Sequence, residues 1–231
     1  MDIIQYKDIE LDEKDLNKSQ GTKSKVYIKQ LKCYKIFTDI FDDERKIIFK
    51  KFKEMEGMEL KDVILPNELI MKDDLLVGYT MDYFSNSENL YDYFTKERFQ
   101  DINEILNVTK RVSQMFRDIH SLGIKLQDIS FDNILIDNNG NLKICDIDSC
   151  SYKNYQGSYI SMASHLFYST CKYKEPVIDE SFDNISLLLS ALLTIYHKMI
   201  FELRNKDYEK IAKHVQTLQN FKILIKKCIY N

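Results

Sequence analysis

Acids and amides gather at both ends of one short stretch, GIKLQDISFDNILIDNNGNLKICDID, which runs from Gly123 to Asp148. Ile134-Leu135-Ile136 and Leu142-Lys143-Ile144 flank Asn139-Gly140, a pattern of apolar runs around turn residues that predicts a tight hairpin. With the turn centred on Asn139-Gly140, or with Asn138 to Asn141 as the loop, Asn133 falls opposite Asp146. Asp128 stands five residues before Asn133, on the loop entering the same edge. An acid, an amide and a second acid at one end of a ladder are hard oxygen donors. They suit Mg²⁺, which keeps several waters and shares its other positions with nucleotide phosphates. The spacing therefore predicts a site for Mg-ATP.

Elements to carry these residues are legible on both sides. In the first third, Lys25 to Lys29, Lys32 to Phe37, Val63 to Leu65 and Leu76 to Phe84 read as strands, with one charged helix from Asp42 to Met58. Beyond that the chain turns helical. Ile105, Val108, Val112, Met115, Ile119 and Leu122 recur at three and four, the period of a helix with one buried face, and Gly123 is a suitable left-handed stop. Asp183 to Met199 is apolar nearly all round and predicts a helix inside its lobe, and Asn220 to Tyr230 predicts a short final helix. A strand-rich front and a helical back indicate an α+β protein, with residues 1–84 and 85–231 as its two parts.

Bulk composition narrows the function. Of 231 residues, 30% are charged and 44% hydrophobic, with formal net charge −3, so a globular chain is expected and a basic nucleic-acid-binding face is not. The five cysteines are an odd number without a CxxC pair, which favours a reducing compartment over a disulfide frame or a zinc site. No secretory signal or membrane span is legible, and the expectation is a cytoplasmic protein with no membrane partner. Lysine-, isoleucine- and asparagine-rich usage fits an AT-rich genome and is compatible with a bacterial source.

Leu126-Gln127-Asp128 through Asn133, followed by Asp146-Ile147-Asp148, resembles the catalytic loop H-R-D-x-x-x-x-N and the D-F-G metal motif of the protein kinase superfamily. Upstream, Gly21 to Tyr27 resembles the end of a phosphate-covering loop, with Gly21 and Val26 against the nucleotide. Tyr34-Lys35-Ile36-Phe37 resembles the strand whose lysine contacts the α and β phosphates. Val77 to Phe84 is similar to the strand entering the hinge, with Met81 as gatekeeper and the backbone of Asp82, Tyr83 and Phe84 at the adenine. Downstream, Tyr173 to Pro176 resembles the end of the activation segment, and Ser181 to Leu187 the start of the central buried helix, with Asp183 bonding back to the catalytic loop.

The resemblance implies a two-lobed kinase-like fold with a small antiparallel β N-lobe and a shortened, mainly helical C-lobe. It also implies ATP with Mg²⁺, or Mn²⁺ in its place. In those terms Asp128 accepts or orients the substrate hydroxyl proton, with Lys35 and Asn133 as its catalytic companions, and Asn133 and Asp146 hold the metal. Asp148 stands where the family has glycine and adds a carboxylate that could assist the metal, or a solvated loop residue. Ser130 stands near the γ-phosphate where protein kinases place a lysine. Among Glu44, Glu54 and Glu56, Glu54 is the preferred partner of Lys35. Gln127 in place of arginine removes the cation that would pair with a phosphorylated activation loop, and only Gly21 survives of the glycine loop.

Three functions follow from this pattern. The leading one is a compact protein serine/threonine kinase with a protein substrate and an activating or stabilising protein partner. The second is a pseudokinase that binds nucleotide or partner, suggested by the thin glycine loop and the lost basic residues. The third is a small-molecule phosphotransferase acting on an aminoglycoside or a choline-like amine, suggested by Ser130 and the D-x-D pair. Such short C-lobes recur in bacterial effectors and phage kinases, which adds delivery into a host cell to the possible locations.

Overall fold

The computed structural model describes residues 1–17, 23–96, 102–158 and 179–204, with side chains described except at 102 and 198–204. Gly21, the Tyr173 to Pro176 stretch and the expected helix at Asn220 to Tyr230 lie outside the described residues. The fold is α+β, and the chain divides into two compact units. One is Met1–Ser87 with Lys143–Asp148; the other is Glu88–Leu142 with the described residues from Ser149 onward.

The first unit is built on strands β1 (Asp2–Gln5), β2 (Ser24–Lys29), β3 (Lys32–Phe37), β4 (Pro66–Lys72) and β5 (Leu75–Asp82), in sheet order β1-β4-β5-β3-β2. All neighbours are antiparallel except β1, which runs parallel to β4 along its edge. β3 occupies the expected residues and buries every second one, and β2 begins one residue before the expected Lys25. Their turn places Gln30 and Leu31 at φ of 52° and 61°, left-handed positions that give a hairpin the right twist without glycine. The Leu31 carbonyl accepts a hydrogen bond from the Tyr83 amide at 3.2 Å, one contact that holds the strained turn in place.

One expected strand fails here and one strand was not foreseen. Val63 to Leu65 is no strand, since only Val63 makes a bridge, to Ile144, and β4 begins at Pro66, where a proline is tolerated because it opens the strand. β1 was not foreseen because only two of its four residues, Ile3 and Ile4, are apolar, too short a run to read as a strand.

Helix α1 (Asp42–Glu54) is shorter than expected and packs on β5. Its N-terminal turn carries Asp42, Asp43 and Glu44 and its last turn Lys51 and Lys53, a charge order that suits the helix dipole. Ile48 and Phe52 are buried, and the Phe52 ring meets Tyr79 of β5 edge-on with centroids 5.2 Å apart. Gly78 of β5 faces Ile36 of β3, and a Cβ added there would lie 2.2 Å from the Lys35 carbonyl oxygen.

The second unit carries β6 (Ser87–Asn89) at its entrance, α2 (Leu90–Thr95), α3 (Ile102–Ser121), β7 (Ile124–Lys125), β8 (Ile134–Asp137) and, after β9 (Leu142–Ile144), β10 (Ser151–Tyr152) and α4 (Glu180–Arg204). Asn89 caps α2 by accepting from the Asp92 amide at 2.7 Å. The buried face of α3 is Ile105, Val108, Val112, Phe116 and Ile119, with Phe116 rather than Met115 inward and Leu122 exposed. Gly123 takes φ of 77°, the left-handed stop that ends α3. α4 buries one face and exposes Leu193 and Tyr196 on another, so it is not enclosed all round. Among the described residues no helix is long and apolar enough to cross a membrane.

The turn after β8 closes with Asp137 opposite Asn141, through Asp137 N to Asn141 O and Gly140 N to Asp137 O, both 3.0 Å. That is a three-residue loop with Gly140 left-handed at φ 79°, which pairs Asp137 one residue earlier than expected. The register that sets Asn133 opposite Asp146 is therefore not the one this turn makes. The cause is the Asp137 carboxylate, which accepts from the amides of Asn139 and Asn141 at 2.9 and 2.8 Å and stabilises the wider loop.

Replacing Gly78 with alanine should force β3 and β5 apart at Lys35. Urea denaturation is expected to show a loss of about 1–3 kcal/mol in unfolding free energy, whereas an unchanged midpoint would mean that the strands part without cost.

Candidate active site

In the first unit the site grows from one central strand. Lys35 lies in the middle of β3, between Val26 of β2 and Tyr79 of β5. Alternation along β3 buries Cys33, Lys35 and Phe37, so the lysine points where apolar residues point and only 5% of it is exposed. A buried ammonium persists only when paired. Lys35 Nζ pairs with Asp146 Oδ1 and donates to Asp148 Oδ1 and Oδ2 at 3.1 and 3.0 Å. It also lies 5.7 Å from the centroid of the Tyr79 ring.

The two aspartates reach the lysine because the segment after β9 belongs to the same unit. Ile144 is held from both sides, donating to Asp62 O and accepting from Ile64 N, each at 2.8 Å. Asp146 then adopts φ of 64°, and Ile147 is buried beneath it. Asp148 is held a second time, through its carbonyl oxygen, by Lys51 Nζ of α1 at 2.7 Å. Lys51 is fully buried.

Charges in this cluster separate into distinct states. Burial works against the Lys35 cation, and the Asp146 and Asp148 carboxylates outweigh it, so its pKa rises well above the usual lysine value. Burial also works against ionisation of Asp146, yet the Lys35 ammonium prevails and holds that carboxyl below its ordinary range. Asp148 is pushed up to about 7, first by burial and then by the neighbouring Asp146 carboxylate. The Tyr79 hydroxyl is buried without a hydrogen-bond partner among the described residues, and burial keeps it protonated. Burial, and then Asp146, push the Cys145 thiol up to about 12, which makes it a poor nucleophile.

In the second unit, Asp128, Ser130 and Asn133 share one loop. The Asp128 amide donates to the Leu126 carbonyl at 2.7 Å across Gln127, whose φ of 64° marks a tight left-handed turn. Asp183, buried on α4, holds this strained turn by accepting from the amides of Leu126 and Gln127, both at 2.8 Å. The expected return bond from Asp183 is thus present, and His120 Nε2 meets the same carboxylate at 2.9 Å in a structural role. Asn133 Nδ2 donates to the Asp128 carbonyl at 2.9 Å, which fixes the amide with its nitrogen on the loop and its oxygen as the atom suited to a cation. Ser130 opens the turn of Phe131–Asn133, its carbonyl accepting from the Asn133 amide at 3.1 Å. Gln127 is buried, and a Cβ on Gly157 would lie 2.3 Å from its side-chain oxygen.

Several site residues differ from expectation. Glu54 is exposed at the end of α1, and the carboxylates that meet Lys35 are Asp146 and Asp148. The buried face of α1 offers a lysine where a glutamate was expected. Asp148, expected at the metal, is buried and spends both oxygens on Lys35. Asp146 fits a magnesium ion better, since 34% of its side chain is exposed and its carboxyl is held ionised. Met81 is buried on β5, Asp82 is exposed and accepts from Asn67 Nδ2 at 2.7 Å, and the Phe84 carbonyl accepts from Ser87 Oγ at 2.6 Å. A cavity of about 830 Å³ in this unit is lined by Met55, Met58 and Ile64 together with Asp82, Tyr83 and Phe84, and includes neither Lys35 nor Asp146. Lys51 and Tyr79 were missed. The signal for Lys51 was its place three residues after Ile48 and beside Phe52, on an otherwise apolar stripe.

The chain matches the protein kinase domain family over residues 16–229. It is 28% identical over 106 residues to the serine/threonine-protein kinase ppk21 of Schizosaccharomyces pombe, covering 41% of this chain and 19% of that protein. It is 25% identical over 171 residues to the serine/threonine-protein kinase Sgk1 of Homo sapiens, covering 69% of this chain and 38% of that protein. The chain thus spans well under half the length of these curated relatives.

The raised pKa of Asp148 has a sign that can be checked. Its folded value of about 7 exceeds the ordinary 3.8, so its stabilising contribution is complete at low pH and is lost as the pH rises through about 7. Asp148→Asn should remove that loss, so the variant's melting temperature should rise relative to wild type between pH 4 and pH 7. A difference independent of pH would show that Asp148 ionises as an ordinary carboxylate.

Proposed function

The chain belongs to the protein kinase superfamily, and on that premise we propose that it transfers the γ-phosphate of ATP to a serine or threonine hydroxyl of a protein. The observation that carries the reading is the buried Lys35 ammonium paired with Asp146. A lysine costly to bury is retained in the middle of a sheet, beside a carboxylate held ionised and partly exposed. Two kinases described as serine/threonine-specific among the relatives support the hydroxyl class.

Phosphoryl transfer asks a protein for positioning and charge more than for covalent chemistry. In the first unit Lys35 would orient the α and β phosphates, and Asp146 would hold the ion. In the second, Asn133 would supply an amide oxygen to the ion, Ser130 would lie by the γ-phosphate, and Asp128 would orient the acceptor hydroxyl and take its proton. Bound magnesium would neutralise charge on the phosphate oxygens. Val26, Met81 and the hinge backbone from Asp82 to Phe84 would bound the adenine, with Gly21 in the covering loop.

A pseudokinase reading is favoured by one observation: Lys35 already has two carboxylate partners, so phosphates must compete for it.

Labelled ATP with Mg²⁺ or Mn²⁺, with and without a generic basic protein, separates the two. Phosphoserine or phosphothreonine formation is expected, with Asp146→Asn and Asp128→Asn each lowering the rate by about a hundredfold or more. Calorimetric binding of Mg-ATP without any transfer would select the pseudokinase.

A further inference from the structure

α1 presents a buried cation to the metal-motif segment, where a kinase-like arrangement leads one to expect a carboxylate. We propose that Asp148 serves as the anchor of Lys35 in place of a helix glutamate, and that Lys51 is the positioning residue that holds Asp148 there through its backbone carbonyl. This deepens the phosphotransfer reading and rests on it.

The geometry is contained within the first unit. Ile48, Lys51 and Phe52 are the buried residues of α1, while Glu54 is exposed. Lys51 Nζ donates to Asp148 O at 2.7 Å, and Asp148 returns both carboxylate oxygens to Lys35 at 3.0 and 3.1 Å. A chain of polar contacts therefore runs from helix to strand through one residue. Burying Lys51 completely is expensive, and an apolar side chain at that position would pack on the Ile48 and Phe52 stripe without that cost. What the lysine adds is a charge-assisted bond to a main-chain oxygen.

The sign of the link has an energetic consequence. A helix glutamate would grip the strand lysine directly and would depend on its own rotamer. Here the helix grips the backbone at Asp148, two residues after Asp146, so the same contact sets the path that carries both carboxylates to Lys35. Substituting the Asp148 side chain removes the anchor and leaves the Lys51 bond intact. Substituting Lys51 removes the bond and leaves the anchor without its support. The glycine that the family places at position 148 has the carbonyl to accept from Lys51 and lacks the carboxylate to anchor Lys35.

The test combines turnover with a readout that needs none. Wild type, Lys51→Met, Lys51→Arg, Lys51→Glu and the double variant Lys51→Glu with Asp148→Gly, which moves the carboxylate to the helix, are compared for kcat, KM for ATP and melting temperature. Lys35 reactivity toward acetic anhydride is followed by mass spectrometry in the same set and in Asp148→Asn. Expected are a kcat about a hundredfold lower in Lys51→Met with a cooperative melt, near wild-type turnover in Lys51→Arg, and recovery of at least about tenfold in the double variant over Lys51→Glu. Lys35 labelling should quicken by about tenfold in Lys51→Met and Asp148→Asn. Unchanged kcat and labelling in Lys51→Met, or a double variant no better than Lys51→Glu, would overturn the proposal. If wild type transfers no phosphate, the phosphotransfer reading fails, and the labelling rates alone decide the anchor. If Lys51→Met does not fold, Asp148→Asn decides it: faster labelling supports the anchor and an unchanged rate refutes it.

Discussion

A positive charge out of water organises the first unit. Lys35 lies on a central strand with almost no exposure, and the cost of desolvating its ammonium is met by carboxylates placed 111 and 113 residues later in the chain. To bring them there, the Ile144 segment hydrogen-bonds to Asp62 and Ile64 in this unit. Asp146 turns left-handed to face the lysine, and α1 lends a second cation to fix the end of that segment. Gly78 and Tyr79 belong to the same arrangement. One lets the strands come close at the Lys35 backbone, and the other sets an aromatic face near its side chain.

The second unit obeys a comparable rule with the sign reversed. Asp183 is an anion buried on α4, satisfied by the amides of Leu126 and Gln127 and by His120. That carboxylate adds two bonds to the Asp128-to-Leu126 contact that closes the left-handed turn at Gln127. The loop bearing Asp128 and Asn133 is thus shaped by a residue more than fifty positions away. Gln127 fills the interior beside Gly157, where only a glycine leaves space for the amide.

Residue types were the most legible part of the chain. Short runs of strand-forming residues located β3 and nearly located β2 and β5; β3 buries every second residue, whereas β5 is buried on both faces. The helical period located α3, and the acids and amide around the turn pointed to metal and phosphate chemistry. Pairing was far less legible. Glu54, nominated from the charged helix, is exposed, and the lysine partner came from Asp148, because contact across the fold and not charge along the helix decides an ion pair. The turn register slipped because the Asp137 side chain stabilises a loop that the Asn139-Gly140 pair alone does not specify. Lys51 was overlooked because a lysine on a charged helix reads as solvated, although it shares the apolar stripe of Ile48 and Phe52.

α4 carries Ser186, Ser190 and Thr194 four residues apart on its buried side. Ser186 and Thr194 return their hydroxyls to carbonyls of the same helix at 2.9 and 3.0 Å, while Ser190 Oγ accepts the Phe131 amide at 2.7 Å. Hydrocarbon faces are interchangeable and let a helix settle at any of several rotations about its axis. A seam of hydroxyls that reaches the Phe131 amide is not interchangeable, so it works as a key, fixing the angular phase of α4 and thereby aiming Asp183 at the loop.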